Sequence, residues 1–299
     1  MIYIFGCSMC KWHWPTWADW LSAYGHQVKN LAYTGYGSQN LYWTLLENID
    51  EITPDDRVII LWPSNHRIMQ WYDKEWIADR DVWGFFPNGE GKLWYTEEEP
   101  WIGLYRTHPN YQQSLTQGII DNLNIPHQAQ LLLEQKGIQY TMGYTQNVWL
   151  DVRPKYQPEF KLTFSDRNKI TKRELELANH IMSLKPIRKL MDKIKWENFI
   201  DIGDPFNAEE YRGIWEYFIS RREYIIYKHD TDQHPCPLAH HDYALEKILK
   251  VDPMAGSLRD TAARISEDCM SMEIHQMDFV GQTDQELLLP KFKEMIEIK

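Results

Sequence analysis

Cysteine is scarce in this 299-residue chain: Cys7, Cys10, Cys236 and Cys269 are all there are, too few to staple a protein of this size. A reduced compartment is the simpler expectation, and the length supplies a core without staples. Long apolar runs are missing as well. No window approaches the roughly 18 consecutive apolar residues that a membrane span needs, so no membrane partner is expected. Met1 to Gly6 is apolar but has no basic stretch before it and no small-residue cleavage site; it does not read as a signal peptide, and the expected location is cytoplasmic. Basic charge is in deficit, with 32 Lys and Arg against 43 Asp and Glu, a formal net charge of −11. That balance argues against a nucleic-acid partner and disfavours a strongly anionic substrate. Internal repeats and low-complexity segments are absent.

What the sequence has in excess is aromatic: 14 Trp, 17 Tyr and 10 Phe. So much ring surface builds a large core, a stacking surface for a ligand, or both. A hydrophobic share of 43% beside 25% charged residues is ordinary for a folded chain and excludes wholesale disorder.

Along the first third, strand and helix signals alternate. Ile2–Phe5 is a short apolar run ending at Gly6, and Trp14–Tyr24 carries helical spacing stopped by Gly25. Gln27–Tyr33 reads as a second strand, and a helix follows from Ser38 with Leu41, Leu45, Leu46 and Ile49 on one face. Val58–Trp62 is apolar throughout, as a parallel strand covered on both faces should be. Three βα units in succession predict an α/β doubly wound sheet. Periodicity then fails over about 63–113, a Trp-rich insertion. A helix near Leu115–Lys136 and a strand at Ile138–Gly143 resume the pattern. A second insertion, about 150–220, is helical at Lys172–Lys195; the charge there is the solvated face of an amphipathic helix. Tyr224–Tyr227 suits a last strand, Leu238–Lys250 a helix, and Ser257–Met272 and Asp284–Ile298 two more. The expected organisation is one domain over 1–250, with 251–299 a helical extension packed on it.

Two places can carry chemistry. Gly6-Cys7-Ser8 follows the first strand and precedes a helix; ligands of open α/β sheets bind beyond the carboxyl ends of strands, where a hydroxyl can act as nucleophile. A serine there is more often a turn or cap residue. Asp230-Thr-Asp232-Gln-His234-Pro235 offers a histidine base with a carboxylate to orient it; alone it reads more often as a solvated polar loop with a proline turn. Cys7-Ser-Met-Cys10 is a C-x-x-C after a strand, the placement of thioredoxin-like redox pairs. Cys7, Cys10, His13 and His234 also have the ligand types of a zinc site, though no second pair at metal spacing accompanies them. His26, His127, His180 and His275 read as ordinary surface or core histidines.

Taken in order, Gly6-Cys7-Ser8, Gly37-Ser38-Gln39-Asn40, Trp62-Pro63-Ser64-Asn65 and Asp232-Gln-His234-Pro235 resemble the blocks of the SGNH (GDSL-type) hydrolase superfamily, over about residues 1–250. Divergent chains of this style resemble phage-encoded members. The resemblance implies a three-layer α/β/α sandwich with a flavodoxin-like parallel sheet, and serine esterase activity without a cofactor or metal. It implies Ser8 as nucleophile, His234 as base, and Asp232 as its orienter with Asp230 second. The oxyanion hole would take backbone N–H groups of Ser8 and Gly37 (Gly35 in reserve) and a side chain from Ser64 or Asn65. Cys7 stands where the family usually has Asp. Trp71, Trp76, Trp83 and Trp94 of the insertion more often pack an extended lid in such a position, but they are also candidates to stack a sugar, and on that role the expected substrate is an O-acetylated carbohydrate. Two readings stand beside this one: a non-catalytic binding or structural module on the same fold, for example in a virus particle, and a Cys-x-x-Cys redox protein.

Overall fold

A computed structural model describes residues 1–12, 14–33, 36–63, 69–71, 92–94, 115–149, 172–219, 234–253 and 257–271. The strands are β1 (Ile2–Phe5), β2 (Val28–Asn30), β3 (Arg57–Trp62), β4 (Met69–Trp71), β5 (Lys92–Trp94) and β6 (Gln139–Tyr144). Four of them form one parallel sheet in the order β2-β1-β3-β6, the flavodoxin-like arrangement. Although β2 itself is short, its pairing with β1 runs from Gln27 to Tyr33: Ile2 N–H donates to Gln27 O, Leu31 N–H to Ile4 O and Tyr33 N–H to Gly6 O.

The helices are α1 (Trp17–Ala23), α2 (Ser38–Asn48), α3 (Leu115–Gln135), α4 (Lys172–Ser183), α5 (Lys185–Met191), α6 (Ile214–Ile219), α7 (Pro237–Tyr243) and α8 (Ser257–Ser271). They cover both faces of the sheet, because strand side chains alternate between two cores. Tyr3, Phe5, Val58, Ile60 and Trp62 pack with Leu41 and Leu45 of α2, Ile119 and Leu123 of α3, and apolar residues of α4 and α5. Ile4, Ile59 and Leu61 turn the other way, onto Trp17, Trp20 and Leu21 of α1, Phe218 of α6, Ala239 and Tyr243 of α7, and Ile265 of α8. The fold is thus a three-layer α/β/α sandwich.

Three details depart from the expected pattern. The stretch 63–113 contains a two-stranded antiparallel ladder, β4 with β5, pairing Met69 with Trp94 and Trp71 with Lys92. Part of the supposed insertion at 150–220 completes the sheet instead: Phe199 bridges Met142 in parallel and Ile200 N–H donates to Met142 O (2.7 Å), so this segment lies where a fifth strand would. The expected helix 238–250 is α7 followed by π-helical turns at Ala244–Leu249, stopped by left-handed Lys250 (φ 60°). The predicted strand at 224–227 and helix at 284–298 lie outside the described residues.

Pro126 sits inside α3, where its missing N–H leaves the Asn122 carbonyl without its helical donor. The Tyr144 hydroxyl at the end of β6 supplies the replacement, donating to Asn122 O at 2.6 Å. Both groups are buried, so Tyr144→Phe is expected to lower stability by about 1–3 kcal/mol. In a Pro126→Ala background the backbone N–H returns and the same change should cost distinctly less, a coupling that a double-mutant cycle of urea unfolding measures.

Candidate functional site

The chain leaves β1 at the point where strand order reverses, with β2 on one side and β3 on the other, the crevice in which open α/β sheets bind ligands. Space there is tight. A Cβ on Gly6 would run into Cys10 Sγ, so any larger residue would force the Cys10 side chain or the following turn to shift. Cys10 N–H donates to Cys7 O at 2.8 Å, and Lys11 N–H to the same carbonyl at 3.2 Å. Ser8 lies in that turn, 1% exposed, and its Oγ is buried with no hydrogen-bond partner among the described residues. The turn is pinned from outside as well, since Asn30 Nδ2 donates to Cys10 O (2.7 Å) and Thr16 Oγ1 lies 2.7 Å from the same oxygen.

His234 belongs to a loop more than two hundred residues away, and aromatic side chains fasten that loop to the segment just past Ser8. The Trp12 ring stacks on the His234 imidazole with centroids 3.5 Å apart and planes inclined by 15°. Trp14 Nε1–H donates to Pro235 O at 2.8 Å and Trp20 Nε1–H to Pro237 O at 3.1 Å. At the far end Tyr24 Oη lies 2.8 Å from His241 Nε2. Ser8 and Trp12 are only four residues apart, which limits their Cα separation to about 14 Å before the intervening turn shortens it. Ser8 and His234 therefore lie on neighbouring segments, the one following β1 and the other opening toward α7. Trp12, Trp14 and Trp20 were not singled out as site residues by sequence; the Trp-rich run directly after the serine was the available signal.

Behind His234, α7 carries two further buried histidines. His241 Nδ1 lies 2.9 Å from Asp242 Oδ1, and Arg259 of α8 donates through Nε and Nη2 to the two Asp242 oxygens, at 3.2 and 2.9 Å. This buried carboxylate is thus paired and hydrogen-bonded, as burial demands. His240 is different: neither ring nitrogen has a partner among the described residues, and burial, reinforced by His234 nearby, pushes its pKa down to about 3. It is a neutral ring packed edge-on to Phe218.

Gly37, expected to donate to an oxyanion, is the N-cap of α2, and its N–H is donated to Asn40 Oδ1 at 3.0 Å. Ser64, Asn65, Asp230, Asp232, Gly35, His13, Trp76 and Trp83 lie outside the described residues. Trp71 and Trp94 belong to the β4–β5 ladder. Cys7, Cys10 and Cys236 are buried and unbridged. Burial, then the neighbouring Cys7, pushes the Cys10 thiol well above its ordinary range. Among the described residues no group of three or more His, Cys, Asp or Glu could hold a metal ion, and no helix is long and apolar enough to cross a membrane.

No protein-family model matches the chain, and no curated protein matches it. Among solved structures, the crystal structure of protein YXIM from Bacillus subtilis is similar over 90% of this chain and 55% of its own, at 14% identity and a TM-score of 0.37. The chain spans little more than half the length of that protein.

Two outcomes follow from these surroundings. Gly6→Ala is expected to destabilise the protein by about 1–3 kcal/mol through overpacking against Cys10, and Cys10→Ala in the same chain should return part of the loss; thermal unfolding of the single and double variants checks both. His240 stays neutral when folded but takes a proton near its ordinary 6.5 when unfolded. Its contribution is therefore fully present above pH 6.5 and is lost as pH falls from there toward 3. Urea midpoints at pH 7.5 and 5 should accordingly fall further for the wild type than for His240→Leu.

Proposed function

We propose that the chain is an SGNH-type serine esterase in which Ser8 attacks an ester carbonyl and His234 carries the proton. The observation that carries this reading is the Ser8 hydroxyl, buried without a partner at the end of β1, on the segment whose next residues clasp the His234 loop. An unpaired buried hydroxyl costs about 1–3 kcal/mol, a cost that a nucleophile's role accounts for. The four ordered sequence blocks and the β2-β1-β3 order around the serine support the same reading.

In the reaction, the Oγ–H proton passes to a ring nitrogen of His234 as the bond from Oγ to the acyl carbon forms. The histidine then returns that proton to the alcohol oxygen as the old ester bond breaks. Water repeats the sequence on the acyl-serine and releases the acid. Asp232, or Asp230, holds the ring in the tautomer this needs. The Ser8 and Gly37 N–H groups, with Ser64 or Asn65, receive the oxyanion; Gly37 must first release Asn40 Oδ1. The substrate in this reading is an O-acetylated carbohydrate, stacked on Trp71, Trp76, Trp83 and Trp94.

A second reading, a non-catalytic module such as a virion component, is favoured by two observations: Ser8 is only 1% exposed, and the Gly37 N–H is already engaged. Hydrolysis of p-nitrophenyl acetate separates the two. Esterase activity should fall by about 10³-fold or more in Ser8→Ala and in His234→Ala, and a fluorophosphonate probe should label Ser8. Equal rates for the wild type and Ser8→Ala would leave the module. Acetate release from acetylated oligosaccharides should exceed release of medium-chain acids from their esters.

A further inference from the structure

We infer that Trp12 is a positioning residue for His234, the plate against which the base is held flat while it receives and returns the proton. The inference rests on the esterase reading and extends it to a residue that touches neither substrate nor nucleophile in that scheme.

The geometry is that of a stack. With centroids 3.5 Å apart and planes inclined by only 15°, the indole covers one face of the imidazole and leaves the ring edge, where both nitrogens lie, uncovered by Trp12. A general base works only while a nitrogen stays in line with the hydroxyl, and rotation about its two side-chain bonds removes it from line. A flat neighbour resists that rotation. The plate is itself braced: Trp12 packs edge-on against Trp14 (6.1 Å, 80°), and Trp14 is hydrogen-bonded to the carbonyl of Pro235, the residue after the base. Ring and plate therefore sit on two loops that are tied together one residue away from the base.

The indole also discriminates between states. A neutral imidazole gains only stacking from it, whereas the cation formed when the serine proton arrives gains the attraction of an aromatic face. An interaction stronger in the transition state than in the ground state speeds the chemical step and leaves substrate binding alone. Trp12 should accordingly act on kcat and not on KM.

The test is steady-state hydrolysis of p-nitrophenyl acetate by the full chain, comparing wild type, Ser8→Ala, Trp12→Leu and Trp12→Phe. Trp12→Leu, which keeps bulk but no ring face, is expected to lower kcat about 10-fold with KM within about 2-fold. Trp12→Phe, which restores a face, should recover most of the loss. Selectively labelled histidine in the wild type should show a His234 ring proton shifted upfield by the indole, a readout that survives if the Leu variant does not fold. Ser8-dependent hydrolysis with kcat unchanged in Trp12→Leu, no rescue by Trp12→Phe, or no upfield shift overturns the role of Trp12 alone. Wild-type hydrolysis no faster than Ser8→Ala overturns the esterase reading and this inference with it.

Discussion

Two buried indole N–H groups find their acceptors more than two hundred residues away, and those bonds join the segment after β1 to the segment that opens α7. Trp14 and Trp20 reach Pro235 O and Pro237 O, Trp12 stacks on His234 and Tyr24 meets His241. Residues 12–24 are thereby laid alongside 234–241 in the same chain direction. Proline suits both acceptor positions. Pro235 lies outside the helical ladder, and Pro237 opens α7, where a missing N–H costs nothing. Without this fastening the serine after β1 and the histidine before α7 would belong to unrelated loops.

The fastening is backed by charge on its outer side. Asp242 is fully buried beside a half-exposed Arg259, and the pair ties α8 to α7, while Leu238 N–H donates to Ser266 Oγ at 2.9 Å. The helix after residue 251 is thus an integral cover for the sheet's second face. His240, neutral and unpaired in the same layer, shows the opposite solution to burial: where no partner is present, the ring gives up its charge.

On the other face, polarity is handled by exchange. Pro126 removes a donor from α3 and Tyr144 restores one. Ser38 Oγ and Asn122 Oδ1, 2.6 Å apart, join the start of α2 to α3. The Ser8 hydroxyl has no such exchange: among the described residues it is buried without a partner, as are the Trp62 and Trp149 indole N–H groups of this core.

The sequence alone determined the elements whose signal is local. Ile2–Phe5 and Val58–Trp62 are apolar on both faces, so they had to be covered strands; the Ser38 helix announced itself by spacing; and Gly6 before Cys7-Ser8 marked a tight turn. The serine and histidine candidates were legible as residue types in loops. Their bringing together was not, because Trp12, Trp14 and Trp20 look in one dimension like any core aromatics. Nor was the edge role of Phe199 and Ile200, which follow no strand period and gain their place by pairing with Met142. The engagement of the Gly37 N–H by Asn40 was hidden for a similar reason: the sequence offers the donor, but only the closed cap decides which acceptor it meets. Periodicity records which side of an element is buried. Which buried donor finds which distant acceptor is settled only when the layers close.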